Sequence, residues 1–374
     1  MSKKIFFVTG TRADYGKIKS IIQSLEKKYE VFIFVTGMHL LKKYGNTYII
    51  IERECKNSKI IKFSNQNGNE DLDQIISKTI FGVSKTIKKI NPDLVIVHGD
   101  RVESFATATA ASVNNFLVAH IEGGESSGTI DEHLRHAISK LSHIHFVSNT
   151  KAKKRLKLMG EIPSNVYITG SPDYDIMKSN FLPKLNVVKE KYNINFDRFA
   201  ILIYHSVTTD LKNLYNNAKV LFQSVSKSKI NYIIIFPNND PGSNIIIDLI
   251  QKYFTKSKSF KVLRSMRFEY FLITLKNSLF IIGNSSAGIK EAPFFGTQTI
   301  NIGTRQNNRA KLKSIINVKN KKNEILKAIE KVKSKKFRKT FHFGYGNSSE
   351  KIQKILSKKN FWKTPIQKNF NSID

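Results

Sequence analysis

The 374-residue chain holds one cysteine, one tryptophan and only 29 acidic residues against 62 basic ones. A lone thiol, Cys55, can form no internal disulfide and cannot build a cysteine-ligated zinc site, which fits a reducing compartment. No run approaches the roughly 18 uncharged apolar residues that a membrane-spanning helix requires. The opening "MSKKIFFVTG" passes from two lysines straight into a strand-like run with no small-residue cleavage site. No signal peptide is read there, and a soluble cytoplasmic protein is expected. The histidines lack H-E-x-x-H or comparable spacing, so a metal site ranks low and no metal ligands are assigned. "GTRADYG" fits neither G-x-G-x-x-G nor the Walker A pattern. A dehydrogenase or P-loop enzyme is therefore disfavoured, and no cofactor is expected.

The shortage of acid leaves a formal charge of +33, which raises the question of nucleic acid or an anionic membrane. The distribution points elsewhere. Lysines are scattered along stretches such as "KAKKRLKLMG" and "KVKSKKFRKT", as on a solvated surface. Seven arginines (Arg12, Arg101, Arg135, Arg264, Arg267, Arg305 and Arg309) instead stand beside Gly, His, Asp or Ser at the ends of strand-like runs. There a planar guanidinium fork suits phosphate or carboxylate, whereas lysine fills the surface. Any nucleic-acid retention should be weak and sequence-independent, and no specific nucleic-acid partner is expected.

A chain of this length with 40% apolar residues is expected to form two domains. Short β-rich runs alternate with segments of helical period, the signature of parallel α/β sheets. The first set is "KIFFVTG", "VFIFVTG", "DLVIVHGD", "FLVAHIEGG", "HIHFVSN" and "VYITGSP"; the second is "FAILIYHS", "NYIIIFPNND", "KVLRSM", "LFIIGNSS" and "TQTINIG". The stretch 171–199 between them contains no such run, which places a boundary near 175–195. The chain reads as two Rossmann-like parallel-sheet domains in series, 1–180 and 190–355, with a helical tail 356–374 packing back on the first. Nearly every run ends in polar or charged residues, where open parallel sheets bind ligands.

The stretch "HIEGGESSGTIDEHLRH", 120–136, gathers four carboxylates and three histidines. "TIDE" has capping-box form, with Thr129 as N-cap, and predicts a helix with Leu134, Ala137, Ile138 and Leu141 as its buried stripe. Glu125 and Glu132 read as local partners of that helix, with Glu132 and His136 as a surface pair. Glu122 reads differently, because it closes a strand and precedes two glycines. Asp100 and Arg101 close the run "VIVHGDR". Asp100, Glu122 and Asp131 beside arginines suit acid–base work, where burial and like charges separate pKa values. Asp100 as a plain helix cap is an equal reading. "GNSSAGIKEA" looks like a strand feeding a helix start, with Ser285 and Ser286 as anion donors and Glu291 placed for ribose hydroxyls; an ordinary serine cap stays open. Arg12 is a phosphate partner. His39 and His205 sit at strand ends, His205 being the stronger candidate, whereas His98, His143, His145 and His342 read as structural. Asp14, Asn238, Arg264 and Arg305, from the same strand-end stretches, complete the substrate- and nucleotide-binding candidates.

"VTGTRADYGK", "VTGMHLLKKYGNT", "VIVHGDRVE", "HIEGGESSGTIDEHLRHAISKLSHIHFVS", "HSVTTD", "FPNNDPGS" and "IIGNSSAGIKEAPFFGTQTINIGTRQNNR" together resemble the hydrolysing UDP-N-acetylglucosamine 2-epimerases of sialic-acid biosynthesis. Relatives serving legionaminic acid, which act on a diacetamido trideoxy sugar nucleotide, look equally close. The blocks run in order from residue 8 to about 309. The resemblance implies the GT-B architecture of two facing Rossmann-like domains. It implies that Asp100, Glu122 and Asp131 are catalytic carboxylates and His205 a catalytic or phosphate-facing residue. It implies that Arg12, Arg101, Ser285, Ser286 and Glu291 bind nucleotide. Ser206 and Ala287 depart from the family's common Pro and Cys or Ser. The implied reaction releases a free manno-configured sugar and UDP through a 2-acetamidoglycal. The expected partner is a nucleotide sugar and the expected assembly a homo-oligomer, dimer or tetramer. A GT-B glycosyltransferase and a non-hydrolysing epimerase stay open beside it, with a nucleic-acid-binding protein further off; the sugar and the choice of UDP or GDP are also open.

Overall fold

Branched and aromatic residues build two all-parallel sheets, whose strands read as continuous apolar runs because helices cover both faces. The computed structural model describes residues 2–68, 70–127, 130–180, 182–306, 308–332 and 337–372. The first sheet contains β1 (Lys4–Thr9), β2 (Glu30–Val35), β3 (Lys59–Lys62), β4 (Leu94–His98), β5 (Val118–Ile121), β6 (Ile144–Val147) and β7 (Val166–Ile168), in the order β3-β2-β1-β4-β5-β6-β7. The second contains β8 (Ala200–Ile203), β9 (Tyr232–Ile235), β10 (Phe260–Leu263), β11 (Phe280–Gly283), β12 (Gln298–Ile302) and β13 (Ile315–Val318), in the order β10-β9-β8-β11-β12-β13. Each order reverses once, between β1 and β4 and between β8 and β11, and such a switch point opens a crevice beyond the strand ends.

Two strands escape the sequence pattern. β3 and β13 are outer strands, and neither has the fully buried pattern of the central strands. Half-exposed edge strands carry the polar and lysine-flanked residues that break an apolar run.

The chain divides into two units. The first comprises Met1–Glu125, Asp131–Ser179 and His342–Asp374; the second comprises Ser126–Ile130 and Asn180–Phe341. The stretch 342–355, read from sequence as part of the second half, belongs to the first unit. Ser171 N–H donates to Phe343 O at 2.7 Å, and the Asp175 carboxylate accepts from Ser348 N–H and Ser349 N–H at 2.7 Å each, tying the start of helix Ser348–Leu356. Ile352, Leu356 and Phe361 then fill the core beneath β1 and helix Arg12–Leu25. Tyr204, Phe222, Tyr232, Phe254 and Phe280 anchor the separate core of the second unit. Among the described residues no helix is long and apolar enough to cross a membrane.

Candidate active site

In the first unit the candidates collect at the β1/β4 switch point and on the neighbouring strand β5. Thr11 caps helix Arg12–Leu25 by accepting from Asp14 N–H, so Arg12 opens that helix and Asp14 lies in its first turn. Asp14 is buried and does not face outward as a binding residue should. Its carboxylate accepts from Gly10 N–H at 3.4 Å and meets His98 Nδ1 at 2.8 Å. The other ring nitrogen, Nε2, lies 3.5 Å from Glu122 Oε2, and Ser171 Oγ donates to Glu122 Oε1. Burial alone would discharge the ring, but Glu122 and Asp14 outweigh it and lift the His98 pKa to about 9. His98 is thus an imidazolium between two carboxylates, a role that reading it as a structural histidine missed.

Glu122 itself has φ +66, a left-handed backbone that costs on the order of 1 kcal/mol for a residue with a side chain. Glu122 N–H bonds to Phe146 O at 2.9 Å and holds it there. A carboxylate in a left-handed backbone at a strand end, anchored from three sides, is a candidate functional position.

Asp100 follows β4 after a single residue, Gly99. Its carboxylate is paired with Arg135, whose guanidinium is buried and also donates to Glu125 O at 3.3 Å. Arg135 lies on helix Ile130–Leu141, and the buried face of that helix is Arg135, Ile138 and Ser139. The predicted stripe of Leu134, Ala137, Ile138 and Leu141 is displaced: only Ile138 is fully buried. The helix turns a polar edge inward because Arg135 holds Asp100, while Ser139 Oγ meets His120 Nδ1 at 3.0 Å. His120 Nε2 in turn donates to Gly99 O at 2.8 Å; burial keeps this ring neutral. Asp131 is half-buried in the first turn of the same helix, four residues before Arg135 and so on its face. Glu132 and His136 form the surface pair at 3.4 Å. Thr129, expected as the N-cap, lies outside the described residues.

Two further residues shape this end of the sheet. Glu103, which sequence reading passed over, is buried 3.4 Å from Arg101 Nε and lies so close under Gly10 that a Cβ there would approach its Cδ to 2.7 Å. His39 is fully buried, with Nε2 3.1 Å from Thr9 Oγ1 and Nδ1 2.6 Å from Thr47 Oγ1. Both ring nitrogens are engaged, so His39 supports the strand ends and is not placed to touch a ligand. Burial holds its pKa down at about 4. Between pH 6.5 and 4 the unfolded chain therefore binds a proton that the folded chain refuses, and stability falls as pH falls through that window, by on the order of 3 kcal/mol. The urea midpoint should drop from pH 6.5 to pH 4, and His39→Gln should flatten that drop. An equal drop in the variant would exclude His39 as its source.

In the second unit the candidates meet at the β8/β11 switch point, around a residue that sequence reading did not single out. Asn284 is buried, accepts His205 N–H at 2.7 Å through Oδ1 and donates to His205 O at 2.8 Å through Nδ2. Its own carbonyl accepts from Arg305 at 3.3 Å and Gln306 at 3.1 Å. The only sequence signal was its place in "IIGNSS", ahead of the serines. Asn238 contributes its backbone N–H, which donates to His205 Nδ1 at 3.2 Å. A backbone amide can only donate, so Nδ1 is unprotonated and Nε2 carries the hydrogen. His205 is therefore fixed as a neutral Nε2–H donor. His205→Gln, which can offer an N–H near the same place, should keep more activity than His205→Ala, which should lose about 10²–10³-fold in kcat/KM. Equal losses in steady-state assays would reject the donor role.

Ser285 caps a single 3₁₀ turn, Ser286–Gly288, by accepting from Ala287 N–H at 3.3 Å. The helix that "GNSSAGIKEA" was expected to start at the serines begins only at Glu291, runs to Phe295 and opens with Glu291 buried. Pro293 lies within it and Gly296 ends it in the left-handed region, which keeps it short. Arg264 is exposed at the end of the outer strand β10, three strands from β11, away from this cluster.

Two doubly wound parallel α/β units in one chain, each with its polar residues at a switch point, are the layout of GT-B-like enzymes. The chain belongs to the UDP-N-acetylglucosamine 2-epimerase family, whose pattern matches residues 23–357. It is 42% identical over 378 residues to the UDP-N-acetylglucosamine 2-epimerase of Neisseria meningitidis serogroup B, covering 100% of both chains. It is 33% identical over 362 residues to the UDP-N,N'-diacetylbacillosamine 2-epimerase (hydrolyzing) of Legionella pneumophila, covering 95% of this chain and 96% of that one. The crystal structure of UDP-GlcNAc 2-epimerase from Neisseria meningitidis bound to UDP-GlcNAc shares the fold, with a TM-score of 0.77 at 19% identity over 94% of this chain and 99% of the other.

Proposed function

We propose that the protein is a hydrolysing 2-epimerase, which converts UDP-N-acetylglucosamine, or its 2,4-diacetamido-2,4,6-trideoxy analogue, into the free manno-configured sugar and UDP. The observation that carries the reading is the pair of differently supported carboxylates at neighbouring strand ends: Asp100 held by Arg135, and Glu122 held strained beside the His98 imidazolium. The hydrolysing type is supported by the full-length likeness to a relative named for that activity.

The C2 hydrogen of the sugar is not next to a carbonyl, so its removal needs the departure of the nucleotide from C1. Asp100 takes the C2 proton while the C1–O bond breaks and UDP leaves with the bonding pair, giving the 2-acetamidoglycal. His205 Nε2–H, Ser285, Ser286 and Arg305, grouped around the β8/β11 switch point, are assigned to the diphosphate, and Glu291 to the ribose. Water then adds its oxygen at C1. Glu122 takes the proton from that water, and Asp131 relays a solvent proton to C2 on the opposite face. No oxidant or reductant enters the balance.

Incubation with UDP-N-acetylglucosamine and with UDP-diacetamido-trideoxyglucose, followed by NMR of the sugar pool, tests the reading. Free N-acetylmannosamine or free diacetamido sugar with UDP supports it. A manno sugar still attached to nucleotide selects the non-hydrolysing reaction, and consumption only when an acceptor is added selects a glycosyltransferase.

A further inference from the structure

The stretch 364–372 follows the last helical turn and lies along the first unit. Lys368 Nζ lies 2.7 Å from Ser142 O, 2.8 Å from Lys140 O, 3.1 Å from Ser139 O and 2.6 Å from Glu161 Oε2. Ser139 and Lys140 belong to the last turn of helix Ile130–Leu141 and Ser142 follows it, so the ammonium sits where carbonyls lose their helical partners and the dipole is negative. Glu161 is buried and also meets His145 of β6 at 2.9 Å and Lys140 at 2.9 Å. The hydrogen bond to His145 and the Lys368 ammonium hold its pKa down at about 2 against the effect of burial, so it keeps its charge.

The tail is stitched down on both sides of Lys368. His143 Nδ1 accepts from Val118 N–H at 3.1 Å, so its Nε2 carries the hydrogen and donates to Ile366 O at 2.9 Å. Asn371 N–H donates to Gly160 O at 3.0 Å. The Phe370 ring occupies the space where any side chain at Gly160, φ +80, would stand, and Lys140 Nζ lies 5.1 Å from the centre of that ring.

The helix so held is the one that organises Asp100. From its last turn Ser139 Oγ reaches His120 at 3.0 Å, and His120 reaches Gly99 O, next to Asp100, at 2.8 Å. One turn earlier Arg135 takes the Asp100 carboxylate. We propose that the C-terminal tail is a strap and that Lys368 is a positioning residue, whose ammonium fixes the end of helix Ile130–Leu141 and thereby the register of Ser139 and Arg135 against the Gly99–Asp100–Arg101 loop. Its effect on catalysis rests on the reading of Asp100 as an acid–base carboxylate; its effect on the loop does not.

The test compares the full chain with Lys368→Met, Lys368→Arg and a chain ending at Lys363, which keeps the Phe361 anchor. Amide exchange at 137–142 and at 99–101 should quicken about tenfold in Lys368→Met and in the shortened chain, and return most of the way in Lys368→Arg. In steady state kcat should fall about tenfold with KM little changed, because a small displacement of a reacting group is felt in the chemical step. Unchanged exchange at 99–101, a wild-type kcat in Lys368→Met, or a loss of kcat that only follows the folded fraction would overturn the strap. A wild-type protein inert toward nucleotide sugars would sink the functional reading alone, since the exchange comparison still decides the proposal.

Discussion

Asp100→Asn should lower kcat by about 10²–10⁴-fold, while Asp131→Asn should leave the first step running and release some 2-acetamidoglycal. The contrast follows from the two separable steps of the proposed reaction, with Asp100 as base and Asp131 as donor. Without a base for C2 no elimination begins; without the donor for the second face, the glycal forms and then waits. Both variants carry a folding cost that has to be measured. Asp100→Asn strips the buried Arg135 guanidinium of its carboxylate, and an uncompensated buried charge can cost about 3–5 kcal/mol. Asp131→Asn forfeits up to about 1 kcal/mol at the helix start. The double variant Asp100→Asn/Arg135→Gln separates the effects, because it should recover stability and not turnover. In deuterated water the wild-type product should carry deuterium at C2. A product that keeps its original hydrogen there would sink elimination, and with it the assignment of all three carboxylates.

The central strands were legible in the sequence because a strand buried on both faces is largely apolar, as in "IFFV" of β1 and "LVIV" of β4. Outer strands escape that demand, so β3 and β13 left no comparable signal. The polar residues directly after the buried strands were also legible as a group, and the structure collects most of them at the two switch points. Which of those residues turn outward was not legible. Asp14 and His39 read like Asp100 and His205, yet Asp14 turns inward to His98 and His39 is closed between two threonines. Helix Ile130–Leu141 shows the same difficulty from the other side: its pattern names an apolar stripe, but the need to hold Asp100 and His120 rotates Arg135 and Ser139 inward. Asn284 and Glu103 were invisible for a third reason. The His205 backbone that Asn284 bonds lies 79 residues away along the chain, and Glu103 packs beneath Gly10 and Gly37, so no local pattern records either placement.

His98→Gln should move the acidic limb of the kcat/KM profile upward by about one pH unit or more, with a larger loss of activity at pH 6 than at pH 8. The groups facing the ring are Asp14 from helix Arg12–Leu25 and Glu122 from the end of β5, with His120 of β5 near enough to feel its charge. His120 is kept neutral by burial, so the imidazolium is the positive charge between the two carboxylates. A neutral amide in its place leaves Glu122 and Asp14 as buried like charges, and the carboxylate form of Glu122 then survives only at higher pH. In the proposed mechanism Glu122 must be ionised to take the proton from water, so the active form should be lost earlier as pH falls. Stability supplies an independent reading with a fixed sign. The His98 pKa is raised by folding from 6.5 to about 9, so its contribution is fully present below pH 6.5 and disappears as pH rises through 9. The wild-type urea midpoint should therefore fall between pH 6.5 and 9 more steeply than that of His98→Gln. A merely structural histidine would lower kcat and the midpoint at every pH and leave both slopes where they were. That outcome would remove the imidazolium from the account of Glu122.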